Sequence, residues 1–355
     1  MAITPRLAAI FFSLLCCRSA SSLRPPNLIS NSSGGVITHL PGFQGPLPFH
    51  LQTGYVEVDE DNGVHLFYYF VRSEREDSPG DDPVVLWLTG GPGCSVLTGL
   101  AYEIGPLSFD LNGYVGGLPK LVYKQDSWTK WFDKYPQFFS SPLYIAGDSY
   151  SGMIVPTVTS EIARGKEEGS QPNLNLKGYL VGNPVTDFNF DGPSRIPFAH
   201  GMGLISDEIY ETAGYMMSSM WANDASVRQA LGIHKGTVPS WSRCNYDIPY
   251  TNDIPSAVKY HLDVTTKGYR SLVYNGDHDM VVPFIGTQAW IRSLNFSTVD
   301  EWRPWFVDGQ VAGFTRSYSN NLTFATVKGG GHTAPEYMPR QCFAMFVRWV
   351  SGDPL

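Results

Sequence analysis

Three residues in this chain have the types and settings needed for nucleophilic catalysis: a serine among small residues, an aspartate after an apolar run, and a histidine after three glycines. Ser149 lies in Gly147-Asp148-Ser149-Tyr150-Ser151-Gly152, which follows the apolar run Pro142 to Ala146. A strand, a sharp turn and a helix in that order make a nucleophile elbow, in which strained backbone exposes the serine hydroxyl at the top of a parallel sheet. The helix that follows aims its first amides at developing negative charge. The pattern G-x-S-x-x-G departs from the commoner G-x-S-x-G, and an ordinary glycine-serine turn accounts for it equally well when it is taken alone.

The acid and the base follow in the order serine, aspartate, histidine. Tyr269-Arg270-Ser271-Leu272-Val273-Tyr274-Asn275 runs into Gly276-Asp277-His278-Asp279, and Leu322-Thr323-Phe324-Ala325-Thr326-Val327 runs into Gly329-Gly330-Gly331-His332. A carboxylate beyond a buried strand accepts from the histidine Nδ1-H and leaves Nε2 to take the serine proton. Asp279 is the candidate for that role. Asp277 is the alternative, although its place in a tight Gly-Asp turn fits a turn cap better. For His332 the ordinary explanation is a loop histidine, but the glycines before it allow close backbone approach. His39 and His200 have no comparable setting.

A fourth element supplies the oxyanion donors. Val84-Val85-Leu86-Trp87-Leu88 leads into Thr89-Gly90-Gly91-Pro92-Gly93-Cys94-Ser95, where glycines leave main-chain N-H groups open to a tetrahedral oxyanion. Tyr150, next to the nucleophile, supplies the second donor. By itself the glycine run reads as a tight turn into a helix.

The elements that must hold these groups are legible from pattern. Thr53 to Val58 and Val64 to Val71 flank the turn 59–63 and predict a hairpin. Residues 74–82 form a polar loop before the Val84 strand. Met153 to Arg164 continues the elbow as a helix, Leu174 to Val181 reads as a strand, and Ser206 to Met220 as a helix capped by Ser206.

With 355 residues, 43% of them apolar, the chain can bury one large core. A formal net charge of -8 with scattered basic residues argues against nucleic acid as a partner. Residues 1–22 have a leader layout: Arg6, an apolar stretch from Leu7 to Cys17, then Ser19-Ala20-Ser21-Ser22 as small residues for cleavage. That stretch is too short to span a bilayer, so no membrane anchor is expected. The expected organisation is a signal peptide at 1–22 and a single catalytic domain at 23–355, carried to the cell exterior or the vacuole. Sequons at Asn31, Asn295 and Asn321 suit that route. Removal of Cys16 and Cys17 with the leader leaves Cys94, Cys244 and Cys342, which allow three single pairings.

Taken together these motifs resemble the serine carboxypeptidase-like family, and more closely its plant branch of acyltransferases that draw acyl groups from glucose esters. The resemblance also rests on 40–49 (LPGFQGPLPF), Leu51-Gln52-Thr53-Gly54-Tyr55, Gly182-Asn183-Pro184-Val185-Thr186-Asp187 and 196–201 (IPFAHG). It implies an α/β-hydrolase fold, with a mostly parallel central sheet and helices on both faces. Ser149 is then the nucleophile, His332 the general base and Asp279 its orienter, with Gly91 and Tyr150 as the oxyanion hole. It implies a Cys94–Cys244 disulfide, with Cys342 a buried free thiol. No metal or cofactor is implied; the partners are a small-molecule acyl donor and acceptor, or a peptide C-terminus.

Departures from the family pattern set the finer expectations. Peptidases of the family carry an asparagine before the glycine pair and a glutamate before the serine, which help to hold a terminal carboxylate. Thr89 and Asp148 stand there, beside Gly90, and Thr333 follows the histidine where a glutamate is common. These changes favour acyl transfer over C-terminal hydrolysis, because a threonine and a shorter acid recognise a carboxylate less well. Two segments of the family layout are missing. One is a buried strand and glycine-rich loop between Lys130 and Trp131; the other is a helical cap excursion near 218–224. Their loss implies a reduced cap and a sheet lacking one interior strand, as in a spliced or incompletely assembled product that could be catalytically silent.

Overall fold

The structure is a computed structural model that describes residues 9–12, 35–59, 61–72, 83–111, 114, 116–129, 142–170, 174–202, 218–233, 240–244 and 254–355. Lys130, Trp131, Asn31 and most of 206–220 lie outside those residues, so the expectations attached to them have no structural counterpart here.

Five strands at the centre of the sheet are parallel. They are β5 (Val84–Leu88), β8 (Leu143–Asp148), β9 (Leu176–Gly182), β10 (Arg270–Gly276) and β13 (Leu322–Val327), hydrogen-bonded in that spatial order. Their sequences are nearly continuous apolar runs, as strands covered on both faces require. Helix α1 (Ser151–Glu167) packs on β8 and β9. Burial on the other face is led by Trp87, Trp128, Leu100 and Phe346, with Trp128 stacked on Phe346 at a ring separation of 4.1 Å. A parallel sheet buried on both faces and ending in loops that carry polar groups is an α/β architecture, the class to which the expected α/β-hydrolase fold belongs.

Antiparallel strands extend both edges. On one side β11 (Thr298–Val307) and β12 (Gln310–Tyr318) continue from β13. On the other, β3 (Leu51–Asp59) and β4 (Val64–Val71) form the hairpin predicted around 59–63, and β2 (Val36–Ile37) closes the edge.

Between β4 and β5 the sheet is bridged by a short segment from the start of the chain. Strand β1 (Ala9–Phe12), from the apolar stretch Leu7 to Cys17, lies between β4 and β5, antiparallel to the first and parallel to the second. Ile10, Phe11 and Phe12 align with Leu86, Trp87 and Leu88. The sheet is therefore continuous, with eleven strands among the described residues, while β6 (Leu107–Phe109) and β7 (Leu121–Tyr123) form a separate antiparallel pair. The physical reason is the cost of the alternative: facing edges of β4 and β5 would leave ladder N-H and C=O groups unpaired. A short Ala-Ile-Phe-Phe segment has the apolar, β-forming character to pair with both.

Candidate active site

Ser149 sits where β8 turns into α1, at φ 55°, a conformation rare for a residue with a side chain. Its amide donates to the Gly182 carbonyl at 2.9 Å, and its carbonyl accepts from Gly152 at 3.0 Å and Val185 at 2.9 Å. Close packing dictates the small neighbours. A Cβ on Gly147 would stand 2.3 Å from the Leu88 carbonyl, and one on Gly152 would stand 2.3 Å from that of Val185. Ser151 ties the elbow to the neighbouring strand by donating to the Leu88 carbonyl at 2.9 Å.

Loops after β10 and β13 bring the other two groups to this turn. Ser149 Oγ is 2.8 Å from His332 Nε2, and His332 Nδ1 is 2.9 Å from Asp279 Oδ2. The three residues, 183 and 53 positions apart in pairs, form one hydrogen-bonded line. Asp279 is buried and the His332 side chain is 21% exposed, so the line runs from the interior toward an accessible hydroxyl. Burial pulls the imidazole pKa down, but the Asp279 carboxylate more than compensates and the net shift is upward. Burial likewise works against the ionised Asp279. His332, Asn183 and the Val282 amide outweigh it and hold the carboxyl below its usual range.

Asp277 is directed elsewhere. Its Oδ1 accepts from the Gly329 amide at 2.7 Å and lies 2.5 Å from His278 Nδ1, joining the two loops away from the Ser149 line.

The glycine turn after β5 packs directly on the elbow. A Cβ on Gly90 would come within 2.6 Å of the Tyr150 nitrogen and 2.8 Å of Ser149 Cβ, and Gly91 adopts φ 114°, which only glycine takes readily. The turn is anchored from behind by the Cys94–Cys244 disulfide, while Cys342 is a buried free thiol.

Behind the turn lies a buried carboxyl pair. Asp148 is 2% exposed; burial pushes its pKa to about 7 against the opposing pull of Arg243. Burial and then the Asp148 charge raise Glu103 well above the ordinary carboxylate range. Glu103 Oε2 accepts from the Trp87 indole at 3.1 Å. Thr89 Oγ1 and Asp148 Oδ1 are buried without a hydrogen-bond partner among the described residues. Thr333, in contrast, is engaged, donating to Glu336 at 2.6 Å.

Glu103, Asn183 and Lys124 were not singled out from sequence as site residues. An acid inside Leu100-Ala101-Tyr102-Glu103-Ile104 is a readable anomaly, because an unpaired charge is seldom buried. Lys124 donates to the carbonyls of Tyr102, Glu103 and Pro335, and burial lowers its pKa to about 8. Nothing in its local sequence marks it. Among the described residues no His, Cys, Asp or Glu cluster is arranged to hold a metal ion, and no helix is long and apolar enough to cross a membrane. Asn295 and Asn321 lie exposed.

The fold and this site define a serine-type α/β-hydrolase, and sequence comparison places it more narrowly. The family model for serine carboxypeptidases, Peptidase S10, matches residues 41–130, 129–219 and 210–352. The chain is 43% identical to serine carboxypeptidase-like 2 of Arabidopsis thaliana over 416 aligned positions, covering 91% of this chain and 94% of the relative. It is 44% identical to serine carboxypeptidase-like 17 of the same plant, covering 91% and 94% of the two chains. The prohormone-processing carboxypeptidase Kex1(Δ)p of Saccharomyces cerevisiae has the same fold, with a TM-score of 0.72, 17% identity and coverage of 89% and 94%. The chain belongs to the serine carboxypeptidase family. An alignment of 416 positions is longer than the 355 residues present, and the family match breaks at 129–130 and 210–219.

Proposed function

We propose that this protein acts through an acyl-serine intermediate on Ser149, transferring acyl groups from glucose esters to an alcohol in preference to removing C-terminal residues from peptides. The observation that carries the acyl-serine step is the Ser149–His332–Asp279 line at 2.8 and 2.9 Å. Ser149 Oγ attacks the ester carbonyl while His332 Nε2 takes its proton. The tetrahedral oxyanion is held by the Gly91 and Tyr150 amides. As it collapses, the C–O bond to glucose breaks and His332 returns the proton to the departing oxygen. An alcohol then enters in place of water and reverses these steps.

The preference for transfer rests on Thr89 and Asp148. Below about pH 7 Asp148 is protonated and donates a hydrogen bond, suiting neutral hydroxyl or carbonyl groups. A peptide's terminal carboxylate would find one neutral acid and one hydroxyl where peptidases of the family offer an asparagine and a longer acid. The test is turnover of an acyl-glucose with an alcohol acceptor beside a blocked dipeptide. The ester should be the better substrate, and Thr89→Asn with Asp148→Glu should raise peptide hydrolysis. Efficient C-terminal trimming by the unaltered protein would sink the preference. Residues 1–22 act in this reading as a secretory leader, whose cleavage removes β1 and leaves the facing edges of β4 and β5 to pair anew in the mature chain, with glycans at Asn31, Asn295 and Asn321.

A second reading is a shortened, catalytically silent isoform. It is favoured by the breaks in the family match at 129–130 and 210–219. Transcripts that retain sequence at those joins would support it, and normal turnover by this chain would end it.

A further inference from the structure

Asn183 occupies the turn that ends β9 and joins four segments of the site. Its backbone amide donates to Tyr274 at 2.6 Å, and its side-chain oxygen accepts from the Gly276 amide at 3.3 Å. Its side-chain Nδ2 donates to Asp279 Oδ2 at 2.6 Å and to the Gly331 carbonyl at 3.4 Å. One amide group therefore spans the end of β10, the loop carrying the acid and the loop carrying the histidine. The residue is 1% exposed and adopts φ 44°, where asparagine is among the side chains best tolerated.

The oxygen it contacts is the one that accepts from His332 Nδ1. The other, Oδ1, accepts from the Val281 amide at 2.7 Å and the Val282 amide at 3.2 Å. Among the described residues Asn183 is thus the side chain, besides His332, that donates to Asp279. We propose that Asn183 is a positioning residue that fixes Asp279 and the Gly331 backbone so that His332 stays aligned on Ser149, and that tempers the charge His332 feels. This rests on the acyl-serine reading of the site.

Removing the amide leaves Oδ2 bonded to His332 alone, so the carboxylate favours the imidazolium more strongly and the His332 pKa should rise. Other charges facing His332 are Arg243, which lowers it, and Glu103, which raises it; neither is touched by the change. Asn183→Gly removes the side chain and keeps the backbone conformation, whereas Asn183→Ala adds backbone strain at positive φ. Two readouts are needed: fluorophosphonate labelling rate against pH, and titration of His332 by NMR with labelled histidine, assigned with a His332 variant.

For Asn183→Gly we expect labelling slowed by up to about 100-fold and both the acid limb and the His332 titration displaced upward by about half a unit or more. Asn183→Ala should show the same displacement with a lower melting temperature. A His332 titration that does not move upward in Asn183→Gly overturns the proposal. Failure of the unaltered protein to label would count against the acyl-serine reading, while the NMR titration would still decide the role of Asn183.

Discussion

The two sides of the sheet are held together differently. From β8 through β13 the strands pair over registers of four to six aligned positions, and the groups of the Ser149 line stand on loops between directly bonded neighbours. Between β4 and β5 the sheet depends on β1, a four-residue strand from the apolar stretch near the start of the chain. The lesson is that an aligned triad and a securely closed sheet are separate properties. All the triad groups lie on the first side, whereas the Gly90-Gly91 turn follows β5, which pairs with β8 on one edge and β1 on the other, so the oxyanion turn is where the two sides meet. Stability is shared by both.

Substitutions in the line should show the largest effects. Removing His332 as His332→Ala should lower kcat/KM by at least about 10⁴-fold, nearly as much as removing Ser149, and the double variant should be little worse because the pair acts as a unit. Asp279→Asn should cost about 10⁴-fold by favouring the wrong tautomer. Steady-state kinetics with melting temperatures near that of the unaltered protein would sharpen the separation between site and scaffold. A collapse of melting in these variants would blur it.

Scaffold changes come next. A Gly147→Ala side chain would meet the Leu88 carbonyl, shift the elbow and lower labelling by about 100-fold. A chain beginning at residue 23 lacks β1 and exposes the facing edges of β4 and β5. Its melting temperature should fall by about 5 °C or more and its protease sensitivity should rise relative to the chain with residues 1–22. Equal melting of the two would show that the sheet closes without β1 and would remove the contrast.

The pH profile carries a smaller prediction. The base works only when neutral, and its pKa is raised, so turnover should be lost as pH falls through a value above that of an ordinary histidine. Asp148 donates only when protonated, so KM for the ester should rise as pH increases through about 7. Asp148→Asn, which always donates, should flatten that alkaline rise. Smallest of all, Asp277→Asn should weaken the contact with the Gly329 amide and change activity by less than about tenfold. If Asp277 were essential and Asp279 dispensable, the acid would have been misassigned.

The site was more legible in the sequence than its support. Strained turns and buried strands demand glycines and apolar runs at fixed places, so Ser149, His332 and the Gly90-Gly91 turn are readable in combination, although each taken alone reads as an ordinary turn or loop. The hairpin of β3 and β4 is readable for the same reason. Asp279 had to be chosen over Asp277 by loop chemistry, and the contacts of the two acids now separate them. Asn183, Lys124 and Glu103 act across distant loops, and no local pattern encodes such contacts. Nor could sequence place β1, because a leader's apolar stretch and a short buried strand have the same composition.

The central claim is that Ser149 becomes acylated, and peptide mapping of the fluorophosphonate adduct tests it most directly. The label should fall on Ser149, persist in Ser151→Ala and vanish in Ser149→Ala and His332→Ala. An adduct on another serine, or labelling that survives Ser149→Ala, would contradict the account.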